Sequence, residues 1–557
     1  MQVTHSTPCS QWVSWRPLLL RTVLVAISAC PAPFAGAADA ADPDTEAATA
    51  GPSLEEITVT ATRREESINR VPISITAISQ DSIDTKGIKD FSDVVRFTPG
   101  VAFDSSQTNQ ISIRGISSSG GSGTTGIYID DVPIQVRSLG FNSDDALVKL
   151  FDLDRVEVLR GPQGTLFGAG SEGGTVRYIT VQPSLNQSSV YGKAETSYTE
   201  GGAPSYEAGL AAGMPVIDGV LGVRGSIWFR RDGGWIDRID PTTLQVVDPN
   251  ANSDNTVALR VAALWQPTEG LRISPSILYQ NSHRNDVTIY WPEYSHPSAD
   301  DYVSANPTAR PEPDKFVLPA LNVQADIGPV TLISTTSYFY RNEISGYDGT
   351  LYNLGYYQSN IADYGTPAGM AAFPLLDGSG VHLPAGLTDY RAPASVTNTQ
   401  RNITQEFRVQ SNDPAARVQW TAGVFYSLDR QYSLEQIKDP MADALFNYLF
   451  ADTISDFFGY EVFNPDGSSY LPMGDSYFNQ LTSYDRQIAG FGEVNFKLTD
   501  TLKLTAGVRV SKDSYTIESL SGGPQNGATL PGTQSSSERP VTPKAGIEWQ
   551  MDPNNLF

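Results

Sequence analysis

The sequence predicts a transmembrane antiparallel β-barrel, with about twelve strands in view, behind a small N-terminal mixed α/β domain. Three observations predict it. From Val190 onward the chain breaks into segments of alternating small or polar and large apolar residues, each near the ten residues that a tilted membrane strand needs. Tyr191–Tyr198, Val220–Phe229, Thr256–Trp265, Val330–Tyr340, Ile403–Gln410, Val418–Tyr426, Ala489–Phe496 and Leu502–Val510 are the clearest. Very short turns (Ile217–Gly219, Pro267–Gly270, Ile327–Pro329, Asn412–Pro414, Thr499–Thr501) then alternate with long connections at 232–254, 284–314, 345–400, 431–484 and 517–540. A barrel with short turns on one side of a membrane and long loops on the other sorts its connections this way; a soluble sandwich does not. Ahead of this region, residues 65–185 mix strand-like, helix-like and glycine-rich stretches.

Composition narrows the class. The chain has 557 residues, net charge −24 and a pI near 4.5, which argues against a nucleic-acid partner. Charged residues make up 18%, so neither a disordered chain nor a helical membrane protein fits. The 25 Tyr, 22 Phe and 8 Trp suit the aromatic girdles of a membrane barrel. Cys9 and Cys30 lie early, and His5, His283, His296 and His382 have no metal-ligand spacing, so no metal site or cofactor is expected.

In chain order, residues 1–37 read as a secretory signal: Arg16 and Arg21, a mostly apolar Leu18–Ile27, and the small-residue site Ala35–Ala37. Ile27–Cys30 also has the form of a lipoprotein cleavage box. Residues 38–53 are a flexible linker rich in Ala, Asp, Pro and Thr, and flexibility is expected to continue through residue 64. Within Leu54–Arg64, Ile57 and Val59 share one face of a short strand, and Thr58 and Thr60 the other. Ile73–Ile78 alternates as a strand, and Ser79–Lys86 and Asp90–Arg96 have the polar starts and apolar spacing of short helices. Ile111–Gly115 and Gly126–Pro133 are further strands, separated by the Gly/Ser loop Ser117–Thr125.

Arg155–Thr180 is the most informative stretch: a strand, then six glycines in the fourteen residues Gly161–Gly174, then a second strand. Gly168–Gly173 matches G-x-G-x-x-G, but a dinucleotide site needs a helix after it, and here a strand-like TVRYIT follows. Glycine at this density instead lets backbone pass close to another surface.

The segments IRG at 113–115, YIDDVP at 128–133 and VEVLRGPQGTLFGAG at 156–170 resemble, in order and spacing, the plug domain of TonB-dependent outer-membrane receptors. The resemblance implies a plug domain over 65–185, a β-barrel with long extracellular loops over 186–557, and a periplasmic segment at 38–64 carrying a TonB box. In that family the box pairs as an added strand with the C-terminal domain of TonB; here it is Glu56, Ile57, Thr58, Val59, Thr60 and Ala61. Family barrels have about twenty-two strands, so the barrel is expected to be incomplete, lacking roughly the last ten, because only a closed barrel satisfies backbone groups in lipid. A smaller barrel of twelve strands is the alternative.

No nucleophile–base pair or acid/base carboxylate pair stands out, and no enzyme activity is expected. The resemblance implies TonB-dependent uptake of a scarce nutrient across the bacterial outer membrane, a ferric siderophore first and a carbohydrate or other small organic molecule second. A passive porin or an adhesin is the alternative from another class. Expected partners are TonB in the periplasm, a small-molecule ligand and outer-membrane lipid. Arg114 and Arg160 match family plug arginines, and Glu406 and Glu493 lie on wall strands in family-like motifs; together they are expected to form a plug–barrel charge cluster. Ser118 and Ser119, by position, and Tyr290, Trp291 and Tyr294, by their aromatic faces, are the ligand-facing candidates; the aromatics equally fit loop packing.

Overall fold

Residues 57–104, 110–117, 121–135, 137–139, 146–359, 361, 365–377, 380–458, 475–526, 530–552 and 555–556 are described by a computed structural model. Two parts are visible in it: an inner domain to Thr180 and a curved wall of antiparallel strands from Ser189.

The inner domain opens with β1 (Thr58–Val59) and β2 (Glu66–Ser67), an antiparallel pair. Next come β3 (Ser74–Ser79), α1 (Gln80–Lys86), α2 (Phe91–Arg96), β4 (Val101–Asp104), β5 (Gln110–Ile113), β6 (Gly121–Ser122), β7 (Thr125–Ile129), β8 (Val132–Pro133), β9 (Arg137–Ser138), β10 (Leu153–Arg160), α3 (Gly164–Phe167) and β11 (Gly174–Thr180). Both expected helices form where their caps dictate. The Ser79 hydroxyl accepts from Ser82 N–H and the Asp90 carboxylate from Asp93 N–H, and Gly87 closes α1 in the left-handed conformation. The central sheet runs β3-β10-β11-β7-β8. Pairing is antiparallel except between β11 and β7, so the sheet is mixed. Its apolar face packs on α1 and α2 through Ile78, Ile83, Phe91, Val94, Val156 and Val158, all buried. The glycine-rich stretch is not a plain loop: it contains the one-turn helix α3.

In the wall, β12 (Ser189–Tyr198), β13 (Pro204–Ile217) and β14 (Leu221–Asp232) are followed by the loop strands β15 (Asp237–Ile239) and β16 (Val246–Asp248). Then come β17 (Asp254–Thr268), β18 (Leu271–Arg284), the short β19 (Val303–Ser304), β20 (Glu312–Ile327) and β21 (Val330–Ser345). The small β22 (Leu376–Asp377) and β23 (Gly380–Val381) precede β24 (Ala394–Ser411), β25 (Val418–Lys438), β26 (Asp475–Lys497), β27 (Leu502–Gly522), β28 (Leu530–Glu538), β29 (Val541–Asp552) and β30 (Asn555–Leu556). Long strands pair with their sequence neighbours in one fourteen-stranded sheet, and among the described residues β12 and β30 end its path without meeting.

Alternation sorts the side chains as expected. On β24, Ile403 and Phe407 are exposed on the outer face, whereas Glu406 and Arg408 are buried on the inner one. Apolar groups therefore face lipid and polar groups the interior. Two of the strand pairs reach beyond the expected boundaries. β25 extends to Lys438 and β26 starts at Asp475, so the loop expected at 431–484 is shorter, and β28 folds back on β27 within the expected loop 517–540. The long connections carry helices α4 (Gly349–Gln358), α5 (Pro367–Ala371), α6 (Ala442–Phe450) and α7 (Ile454–Phe458). These share an apolar cluster of their own around Leu354, Tyr357, Leu445, Phe446 and Leu449.

The inner domain rests on the polar face of the wall. Phe316, Leu318 and Phe339 of β20 and β21 complete its apolar core, and Gln280 of β18 binds the backbone of Leu147 and Lys149. Glycine makes the approach possible on the other flank: Gly168 has φ of 83°, and a Cβ there would lie 2.9 Å from the Arg509 guanidinium of β27.

Candidate functional site

Residues 57–64, the leader, are docked rather than free. Pairing with β2 fixes Thr58 and Val59, and Val59 and Ala61 are fully buried among Val71, Tyr128, Leu159, Leu166, Phe167 and Phe491, the last from the wall. Ile57 and Thr58 remain exposed, and Glu56 lies outside the described residues. The segment expected to be flexible through residue 64 is thus seen packed on the inner domain over 57–64. The reason is one of pattern: the face that would alternate in an added strand is the face that fills an apolar notch of the inner domain.

Backbone polarity is met by two buried side chains. Thr60 N–H donates to Glu157 Oε1 at 2.9 Å, and Arg177 Nη1 donates to the Thr60 carbonyl at 2.8 Å. Glu157 and Arg177 face each other across β10 and β11, with Arg177 Nη1 2.7 Å from Glu157 Oε2. Arg155 adds a contact of 2.8 Å to Glu157 Oε1.

Asp131, in the turn between β7 and β8, collects guanidinium groups from three places. Arg63 of the leader approaches to 2.6 Å, Arg177 of β11 to 3.2 Å and Arg408 of the wall to 3.4 Å. Arg408 also holds Glu406 at 2.6 Å, and Arg63 stands 3.9 Å from Glu406 on the other side. The Arg63 guanidinium lies 4.4 Å over the Phe167 ring, a cation–π contact. Burial by itself would raise the Asp131 pKa, but Arg63, Arg408 and Arg177 outweigh it and hold the carboxyl well below its usual value. Burial pulls Arg63 down, yet Asp131 and Glu406 leave it net raised. The next residue, Arg64, ties the leader to the short-turn end of the wall: Nη1 donates to Ser411 O and Nη2 to Trp420 O, both at 2.8 Å.

Beside this seam lies a cavity of about 1990 Å³. It runs from the leader and the β7–β8 turn to β17, β18, β20 and β21, and reaches the short turns at Pro414 and Thr499–Thr501. Nine Lys or Arg and seven Asp or Glu line it, so it is not acidic although the whole chain is.

The expected four-residue charge cluster is not formed among the described residues. Arg160 Nη1 donates to Pro99 O at 2.8 Å, and exposed Arg114 sits in a left-handed turn with φ of 53°, its N–H on Gly100 O. Both arginines therefore serve the Pro99–Gly100 bend. Glu406 is taken by Arg408 and Arg63, and Glu493 by Lys544 at 2.8 Å. The carboxylates found nearer cations on the wall itself, where neighbours two residues or two strands away share the inner face. Of the ligand-facing candidates, Tyr290 packs edge-to-face on Tyr302 at 5.1 Å, and Trp291 donates to Asn306 Oδ1 and lies 6.1 Å from Tyr294. Loop packing accounts for these contacts. Ser118 and Ser119 lie outside the described residues.

Arg63, Asp131, Glu157, Arg177 and Arg408 were not singled out in the sequence. One signal was available: Glu157 between Val156 and Val158, and Arg177 between Val176 and Tyr178, are charges of opposite sign each flanked by apolar residues on its strand, which calls for a partner.

Two family descriptions match the chain, the TonB-dependent receptor plug domain over residues 67–175 and the TonB-dependent receptor-like β-barrel over residues 278–557. The chain belongs to the TonB-dependent receptors. Its fold is therefore a plug with a receptor β-barrel, its place is the outer membrane, and its family is one of receptors rather than enzymes. The pesticin receptor of Yersinia enterocolitica is 31% identical over 226 residues, 39% of this chain and 31% of the relative. The ferripyoverdine receptor of Pseudomonas aeruginosa is 34% identical over 128 residues, 22% of this chain and 15% of the relative. In structure, the ferric yersiniabactin uptake receptor FyuA of Yersinia pestis matches with a TM-score of 0.62 at 15% identity, over 86% of this chain and 62% of that one. The match thus spans less than two thirds of each of these relatives.

Proposed function

We propose that this receptor takes up a ferric siderophore through the outer membrane, driven by TonB acting on the leader. The observation that carries the reading is the docking of residues 57–64 at the short-turn end of the wall, tied to plug and barrel by the same few side chains. A segment held there can be reached from the periplasm. Its exposed residues Ile57 and Thr58 offer the start of a strand to which a partner adds main-chain hydrogen bonds. The names of the relatives support the cargo class: one is a ferripyoverdine receptor and another structure is a ferric yersiniabactin uptake receptor. The mixed-charge cavity suits the reading, since its nine cations against seven anions do not repel an anionic chelate.

Growth on a panel of ferric chelates tests this. A strain deleted for the receptor is complemented with the full-length protein or with Ile57→Pro, which removes a donor from the added strand while altering an exposed side chain. Iron-limited growth should be restored on at least one chelate by the native protein and lost with Ile57→Pro. Equal rescue by both would remove the TonB-driven reading. Rescue on a sugar or on cobalamin alone would keep the mechanism and change the cargo.

A further inference from the structure

The leader carries one member of a charge set shared by leader, plug and wall. Arg63, Arg177 and Arg408 face Asp131, Glu157 and Glu406 within one seam, and Arg155 adds a further cation, on Glu157. Arg63 is the cation that stands between Asp131 of the plug and Glu406 of the wall. Arg408 could hold both carboxylates, but its grip is unequal: 2.6 Å to Glu406 on its own strand and 3.4 Å to Asp131.

We propose that the leader acts as a removable counter-ion between plug and wall: withdrawing Arg63 takes from Asp131 its nearest cation and from Glu406 its second, Arg155 and Arg177 stay with Glu157 and Arg408 with Glu406, and the β7–β8 turn is pushed off the wall beside the cavity. This rests on the reading that the leader is drawn out from the periplasm. Repulsion between Asp131 and Glu406 then does what pulling alone would have to do, because two like charges in a poorly solvated seam strongly disfavour each other.

The plug is built to yield at this turn. β8 is the edge of the central sheet, is two residues long and includes Pro133, which lacks a donor. A void already borders the turn, walled on the far side by small or polar groups such as Ser274, Ser276, Ala320 and Asn322. The opposite flank has no such room. A Cβ on Gly164 of α3 would meet Thr542 at 3.2 Å, and one on Gly168 would meet Arg509 at 2.9 Å. Opening along the β7–β8 side therefore enlarges an existing space, whereas opening along α3 would have to break close packing.

The test needs neither TonB nor cargo. Thr335→Cys places a thiol on β21, buried now and lining the cavity opposite Glu406 across the β21–β24 pair. Its labelling by a hydrophilic maleimide is followed on the purified full-length receptor in lipid nanodiscs, with the melting transition of each variant as a check on folding. Arg63→Gln should speed labelling about tenfold or more, and Arg63→Lys, which keeps the charge, should label close to the parent. Adding Glu406→Gln to Arg63→Gln should return the rate toward the parent, since the carboxylate that repels Asp131 is then gone and Arg408 is free to hold Asp131. A cavity left by a shortened side chain would not be rescued that way. If Arg63→Gln labels at the parent rate, or if Glu406→Gln fails to slow the double variant, the counter-ion role is wrong. Loss of TonB dependence in the growth assay, with this labelling pattern intact, would instead sink the uptake reading alone.

Discussion

Asp131 shows how one residue can hold several parts together. Its carboxylate is the common partner of leader, plug and wall arginines. Replacing it with Asn would strand those guanidinium groups, and breaking a buried pair of this kind costs about 3–5 kcal/mol. Asp131→Asn should therefore lower the denaturant midpoint of the plug with little effect on the barrel, read by plug-specific fluorescence or hydrogen exchange. Its pH behaviour has a definite sign. The carboxyl is held below its ordinary value of 3.8, so its stabilising contribution is full above that pH and is lost as pH falls through the lower folded value. Arg114 is the contrast. It is exposed and pairs with neither Glu406 nor Glu493 among the described residues, so Arg114→Gln should shift plug stability by no more than about 0.5 kcal/mol.

Among the elements, the wall strands and the loop helices were legible to different degrees. Alternation within Ile403–Gln410 was enough to assign faces, because a strand has a period of two and one face meets lipid. Phe407→Arg on that outer face should destabilise the folded barrel in bilayers by about 2–4 kcal/mol if it lies near the midplane. Refolding titrations into lipid vesicles would measure it. The loop helices were not legible, since short helices in a loop have no partner until another loop supplies one. Asp439 marks where they meet. It accepts from Tyr390 OH at 2.7 Å and Asn353 Nδ2 at 2.8 Å, and Gln525 Nε2 reaches Asn353 Oδ1 at 2.6 Å. Burial pushes its carboxyl up to about 6 against the opposing hydrogen bonds. A raised carboxyl favours the protonated, folded form, so the loop cluster should lose stability as pH rises from the ordinary value of 3.8 through about 6. Amide exchange in α4 and α6 should be slower at pH 5 than at pH 7.5, after correction for intrinsic exchange, and Asp439→Asn should remove the difference.

At the scale of the whole molecule, a plug with a strand-rich barrel could be read from one chain, and the seam between plug and wall could not. Alternating segments, unequal connections and the plug-like motifs are local in sequence, and each carries its own physical consequence: a pleat, a turn, a capped helix. Those features decided that there would be a strand-rich wall, an inner α/β domain and a short strand ahead of it. What the leader does with its arginines is a different kind of fact. Arg63 lies 68 residues from Asp131 and more than three hundred from Glu406 and Arg408 in the sequence, and only the packing of leader, plug and wall against one another brings them within reach. The same holds for Arg114 and Arg160, whose motifs suggested wall partners until a nearer bend of the plug claimed them. A periodic pattern constrains a residue's face; the choice of partner across that face is set by the distances of the folded state, because electrostatic preference falls off with separation and the nearest countercharge wins.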